Sequence, residues 1–149
     1  MELMKMEKIC LFFARGLGSG LLKPAPGTWG SLVAVMIAYF VQLPWWFILL
    51  AGLVSIYICD VAEKTLGIPD APEIVLDEFI GMWITCWAIP HHLGLYILAF
   101  ALFRLFDITK VFPVDNVQNL PGGLGIVADD VVAGLMGRIV MAVVIGIWF

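Results

Sequence analysis

Charge is scarce in this sequence. Only 13% of its 149 residues are Asp, Glu, Lys or Arg, about half the ~25% of an ordinary soluble domain. Hydrophobic residues make up 62%, against roughly 45–50% in such a domain. This balance excludes a disordered chain and argues against a free-standing soluble enzyme. Basic residues are the minority, 8 against 12 acidic ones, so no nucleic-acid surface is expected. Cysteine is limited to Cys10, Cys59 and Cys86, far apart in apolar sequence and without a C-x-x-C pair. Buried reduced thiols are expected there, not a disulfide or a metal site. The short apolar stretch after Lys8 runs into glycine-rich sequence, so no cleavable leader is expected.

Several catalytic signatures are also missing. No Asp-x-Asp pair occurs, no Cys precedes Arg at the C-x5-R spacing, and there is no G-x-S-x-G elbow or Walker loop. These gaps disfavour aspartyl-phosphate phosphatases, cysteine phosphatases, serine esterases and P-loop enzymes. His91 and His92 are adjacent, so on a helix they cannot converge on one metal, and they read as turn residues.

The long hydrophobic runs are present, and they are interrupted. Pro24–Cys59 is 36 residues without a charge, too long for one span of ~20. Pro44, followed by Trp45 and Trp46, marks a turn at a membrane–water interface. The pattern predicts a hairpin of helices over Thr28–Gln42 and Trp45–Cys59. A second uncharged run, Phe79–Phe103, is broken by Pro90, His91, His92 and Gly94, which predicts helices over Ile74–Ile89 and Leu93–Phe106. A last helix is predicted over Asp129–Phe149.

The charges then sort themselves. Of 20 charged residues, 19 fall in the N-terminal tail, Asp60–Glu78 or Arg104–Asp130, and neither hairpin tip holds one. With five spans those three regions share one side, which carries seven of the eight Lys and Arg residues and is therefore cytoplasmic. The expected fold is all-α: one domain over residues 1–149, a small polytopic membrane bundle of about five apolar helices with two hairpins and a cytoplasmic N-terminus. A soluble bundle of very apolar helices is the competing fold.

Four segments carry candidate chemistry. Gly16–Gly30 holds five glycines and two prolines. It reads as a loop, or as a backbone cradle from which Thr28 opens the next helix toward a phosphate. Asp70, Glu73, Asp77 and Glu78 gather four carboxylates at the mouth of an apolar helix. Such acids favour a helix N-terminus, and they also supply hard oxygen ligands for Mg²⁺. Arg104, Asp107 and Lys110 recur every three residues. They form an ion-paired helix end, or a fork and a point charge for phosphate. Gly122–Asp130 reads as a glycine loop delivering Asp129 and Asp130 to the start of a helix, for metal binding or acid–base work, with Asp129 as a cap in the plainer reading. Arg138, eight residues on, is an expensive intramembrane charge that snorkels or has a function. Ala133 and Gly137 are spaced for close helix packing.

Taken together, GLGSGLLKPAPGTWGS (16–31), EIVLDEFIGMWIT (73–85), FRLFDITK (103–110) and GGLGIVADDVVAG (122–134) resemble, in this order, phosphatidylglycerophosphatase A, a family of bacterial lipid phosphatases. The resemblance implies Mg²⁺-dependent hydrolysis of phosphatidylglycerophosphate to phosphatidylglycerol and phosphate at the bacterial cytoplasmic membrane, in phospholipid biosynthesis. It implies an acidic metal and catalytic centre of Asp77, Glu78, Asp129 and Asp130. From the charge map, Arg104 and Lys110 are expected to bind the substrate phosphate, with Gly27 and Thr28 of the matching glycine-rich loop beside them, and one carboxylate, Asp107 being the candidate, is expected to orient or deprotonate the attacking water. The chain departs from the family at Lys110-Val-Phe-Pro113, at Asp115-Asn116 and at Pro69-Asp70, where the family favours Lys-Pro-x-Pro, a basic residue and His-Asp. The competing functions are a small cation transporter or channel subunit and a phosphatase acting on another soluble or lipid phosphate monoester.

Overall fold

The computed structural model describes residues 2–21, 25–68, 73–110 and 122–148, and every regular element among them is helical. Helix α1 spans Glu2–Ala14 and is followed by a 3-10 turn, Ser19–Leu21. Helices α2 (Pro26–Phe40), α3 (Trp45–Leu66), α4 (Leu76–Cys86), α5 (Leu93–Thr109) and α6 (Gly122–Trp148) follow. The loop residues 111–119 and Pro69-Asp70 lie outside the described residues.

Local chemistry accounts for most boundaries. Pro26 sits in the first turn of α2, where its missing N–H costs nothing. Pro44 precedes α3, and Gly67 ends that helix in the left-handed region at φ 70°, the usual glycine stop. Helix α3 has 22 residues and α6 has 27, each long and apolar enough to cross a bilayer, and only 22% of the most apolar window of either is buried. Core helices of a soluble protein would be mostly buried. Leu49, Leu53, Ile139, Val143 and Ile147 instead point outward, which is the surface a bilayer covers.

Helix α4 is the hub. It packs against α6, α2, α3 and α5, and Phe79, Ile80, Met82, Trp83 and Cys86 are all in the core. Trp83 Nε1 donates to the Ala34 carbonyl at 3.1 Å, tying α4 to α2. The α4–α6 crossing is lined by Gly81, Gly134 and Gly137. A Cβ on Gly134 would collide with the Gly81 backbone, and one on Gly81 with the Phe103 ring and the Asp130 carbonyl. Small residues let two helix backbones touch, and here the Thr85 hydroxyl lies between the Gly81 and Gly134 carbonyls at 3.1 and 3.0 Å.

Several sequence expectations change. The N-terminal tail contains a helix, α1, packed on α3. Helices α2 and α3 do not pack along each other as a tight hairpin; both lie against α4. Helix α3 continues past Cys59 to Leu66, and Lys64 pairs with Asp60 at 3.0 Å on its last turns. Helix α6 starts at Gly122, so Asp129 is inside the helix rather than its cap. The reason is tertiary: Gly123 fits against the Ile56 carbonyl and the Asp60 backbone of α3, and its N–H donates to Asp60 Oδ1 at 3.1 Å. Glycine weakens an isolated helix, but this contact is open only to glycine. At the opposite end, His91 stacks on Tyr39 (ring centroids 4.3 Å apart) and its Nε2 lies 3.0 Å from the Tyr39 carbonyl. The three cysteines are buried, as expected.

Candidate active site

Four helices bring their polar ends to one cleft of about 320 Å³, lined by Gly27, Asp77, Glu78, Arg104, Asp107, Lys110, Asp129 and Asp130. Asp77 and Glu78 occupy the first turn of α4. Asp129 and Asp130 come from α6, and Arg104 and Asp107 from the last turns of α5. The glycine-lined crossing of α4 and α6 holds the acids together. Asp77, Asp129 and Asp130 are 5%, 4% and 1% exposed. Each offers a carboxylate oxygen within 4.8 Å of the others.

Asp77 and Glu78, neighbours in sequence, part company. A helix turns ~100° per residue, so Asp77 joins the α6 aspartates while Glu78 Oε1 lies 3.7 Å from Arg104 Nη1. Arg104 Nη1 also donates to Asp107 Oδ2 at 2.5 Å, and Nη2 reaches Thr28 Oγ1 at 3.5 Å. Lys110 Nζ donates to Asp129 Oδ2 at 2.9 Å and sits 3.6 Å from Asp107 Oδ1. Both oxygens of Asp107 therefore face cations. Burial alone would lower the Lys110 ammonium's pKa. The hydrogen bond to Asp129, with the charges of Asp129, Asp107 and Asp130, outweighs it and raises the pKa above the ordinary lysine range.

Backbone shape completes the site. Gly27, in the first turn of α2, has no room for a side chain: a Cβ there would lie 2.7 Å from Glu78 Oε1 and 3.3 Å from Arg104 Nη1. Gly27→Val is expected to push Glu78 and Arg104 apart and lower turnover by roughly a hundredfold, the scale on which misplaced groups act. Helical content by circular dichroism checks that the bundle persists. Lys110 ends α5 in the left-handed region at φ 48°, a conformation more often given to glycine or asparagine.

The nine residues given catalytic, metal or substrate roles in the sequence thus converge, Thr28 through its contact with Arg104. Two neighbours behave differently. Glu73 precedes α4 and binds Arg15 Nε at 3.0 Å, away from the carboxylate group. Arg138 does not line the cleft; it faces another groove. Sequence reasoning missed Pro26, Ile74 and Ile108 in the cleft wall, because apolar residues in an apolar chain carry no signal.

The donor set suits a divalent cation. Five carboxylates face two cations around the cleft, and Oδ1 of Asp130 and Oε2 of Glu78 are buried without a hydrogen-bond partner among the described residues. Carboxylates packed this closely repel, and hard carboxylate oxygens are the ligands such ions take.

Comparison with known proteins agrees. The family model for phosphatidylglycerophosphatase A matches residues 12–145. The phosphatidylglycerophosphatase A of Escherichia coli K12 is 39% identical over 140 residues, covering 89% of this chain and 81% of its own. That of Haemophilus influenzae is 42% identical over 136 residues, covering 86% and 83%. A Bacteroides thetaiotaomicron protein, provisionally named a phosphatidylinositol-3-phosphatase, is 38% identical over 141 residues, covering 86% and 88%. No solved structure matches. With a family model that spans residues 12–145 and two relatives about 40% identical over most of both chains, the chain belongs to the phosphatidylglycerophosphatase A family.

Proposed function

We propose that this protein is a Mg²⁺-dependent lipid phosphatase that hydrolyses phosphatidylglycerophosphate to phosphatidylglycerol and phosphate. It does so as a multi-pass protein of the bacterial cytoplasmic membrane with its cleft facing the cytoplasm. The observation that carries the reading is the trio of buried aspartates, Asp77, Asp129 and Asp130, beside Arg104 and Lys110 at the polar end of an apolar bundle. The placement of charge in the sequence supports the orientation.

In this reading Asp77, Asp129 and Asp130 hold the metal, which supplies Lewis-acid stabilisation of charge on the phosphoryl oxygens. Glu78 stands next to them, engaged with Arg104, and helps hold that guanidinium in place. Arg104 and Lys110 bind the terminal phosphate, and the Gly27 and Thr28 N–H groups at the start of α2 add donors. Water attacks phosphorus in line with the ester oxygen. The P–O bond to the lipid breaks, and the leaving oxygen takes a proton to become the hydroxyl of the product. The attacking water's proton passes to a carboxylate of the cleft. Asp107 was expected to serve that water, but its two oxygens are engaged by Arg104 and Lys110. It is better assigned as the positioning residue that holds both cations. The outward apolar faces of α3 and α6 keep the acyl chains in the bilayer while the headgroup enters the cleft.

Phosphate release by the detergent-purified protein tests this. Release from phosphatidylglycerophosphate is expected with Mg²⁺ and is expected to vanish with EDTA. Release only from phosphatidylinositol 3-phosphate would move the substrate assignment to the chemistry named for the Bacteroides relative. Cation flux in liposomes without hydrolysis would favour the transporter reading. Its weakness is that the acids gather at one end of the helices rather than along a path through them.

A further inference from the structure

A second cavity lies on the other side of α6. It is a groove of about 580 Å³ between α3, α4 and α6, walled by residues such as Ile48, Ile84, Val131 and Leu135, and by Trp45, Trp87 and Arg138. None of its lining residues belongs to the catalytic cleft. Its wall is apolar throughout except for Arg138, the one charged side chain that lines it.

Arg138 is badly provided for. Its Nε and Nη1 are buried and meet no hydrogen-bond acceptor among the described residues. The neighbour that it does have is the Trp87 ring, with the guanidinium carbon 5.8 Å from the ring centroid, a modest cation–π contact. No acidic side chain follows Asp130 in the sequence, and none lies between Phe79 and Phe106, so neither segment beside Arg138 supplies a carboxylate side chain to neutralise it. A buried guanidinium without an acceptor is costly. Arg138 lies eight residues, or ~12 Å of helix rise, beyond Asp130. It shares the groove wall with Trp45 and Trp87, and tryptophan favours the membrane–water boundary. The abundant anion toward which a long arginine side chain can snorkel from within the bilayer is a phospholipid phosphate, and the apolar groove beside it matches what is covalently attached to that phosphate.

We propose that the α3–α4–α6 groove binds an anionic phospholipid as a resident ligand, with an acyl chain along the groove and the phosphodiester on Arg138. The site is separate from the catalytic cleft and its ligand is not the substrate. Arginine matches this role through its planar fork, which takes phosphate in a bidentate pair. The guanidinium supplies one positive charge with no acid beside it, so the site favours a lipid of net negative charge over a zwitterionic one.

Native mass spectrometry of the full chain in mild detergent tests the proposal, with dioleoylphosphatidylserine as the anionic phosphodiester and dioleoylphosphatidylcholine as the zwitterionic control. Wild type is expected to retain one phosphatidylserine per chain, at least about tenfold more firmly than phosphatidylcholine. Arg138→Gln is expected to remove that preference and Arg138→Lys to keep part of it. Gly52→Leu fills the groove from α3, where a Cβ meets nothing closer than Ile80 Cγ2 at 3.4 Å, and is expected to weaken retention of both lipids. Asp129→Asn is expected to leave retention unchanged, since the catalytic cleft is elsewhere. Equal retention by wild type and Arg138→Gln overturns the proposal. So does loss of the lipid in Asp129→Asn, which would put it in the cleft, or a lipid-free dimer that Arg138→Gln dissociates, which would make the groove an interface between copies. If Arg138→Gln fails to fold, unchanged retention in Gly52→Leu overturns the proposal and loss of retention supports it. A failure of phosphate release in every protein would count against the catalytic reading and leave this result intact.

Discussion

Asp130→Asn is expected to abolish phosphate release, by at least about a thousandfold, the upper range for removing one group that stabilises transition-state charge. The amide keeps the shape of the carboxylate and removes its charge. Asp130 is 1% exposed, and its Oδ1 has no hydrogen-bond partner among the described residues, so ionising it there is costly until a cation binds. Two measurements separate a functional carboxylate from a structural one. In EDTA the variant is expected to melt at the same temperature as wild type or higher, because one member of a mutually repelling group becomes neutral. Mg²⁺ is expected to raise the melting temperature of wild type by mass action and to do much less for the variant. A variant that melts lower in EDTA and accumulates poorly would make Asp130 structural. One that keeps turnover within about tenfold would remove it from the metal site.

The second large effect is expected at Gly134. A Cβ there would fall among the backbone atoms of Gly81, with both the Gly81 Cα and carbonyl carbon at 3.0 Å. Backbone cannot swing aside as a side-chain tip can, so Gly134→Leu must drive α4 and α6 apart. The separation breaks the Thr85 hydroxyl's contact with the Gly134 carbonyl and draws Asp77 away from Asp130. Overpacking costs about 1–3 kcal/mol in well-packed cores and more when backbone must move. Folded yield and activity are therefore expected to fall together, unlike the pattern for Asp130→Asn. Gly146 on the same helix is the control, since a Cβ there meets nothing within 4 Å. Gly146→Ala is expected to be neutral or to stabilise by up to ~1 kcal/mol through helix propensity. Equal damage from both substitutions would mean that α6 tolerates no change anywhere and that the close crossing at Gly134 is not the cause.

The carboxylates show how far the residues alone could be read. Asp77 and Glu78 looked like one acidic pair, and both were assigned to the metal. Their neighbours divide them: Asp77 meets the α6 aspartates, while Glu78 meets Arg104. The 100° step between consecutive helical residues was known in advance. Which neighbouring helix stood at each angle was not, because α4 packs against five others. Asp107 is similar. Its spacing from Arg104 and Lys110 announced a polar stripe, but not that each of its oxygens would face a different one of those cations.

The glycines mark the same limit. Gly122 and Gly123 read as a loop because local propensity disfavours glycine in helices, yet they begin the longest helix in the molecule. Uninterrupted hydrophobicity, broken by proline and bounded by charge, was enough to determine the apolar helices, their approximate limits and the gathering of acids and bases at one end. Those are properties of short segments and of the solvent that each segment prefers. Only the tertiary structure decided which glycines bend the chain and which let backbones touch, which carboxylates meet, and that Arg138 faces a groove away from the cleft. Those outcomes depend on contacts between residues far apart in the chain, and local pattern does not encode the distance between two helices.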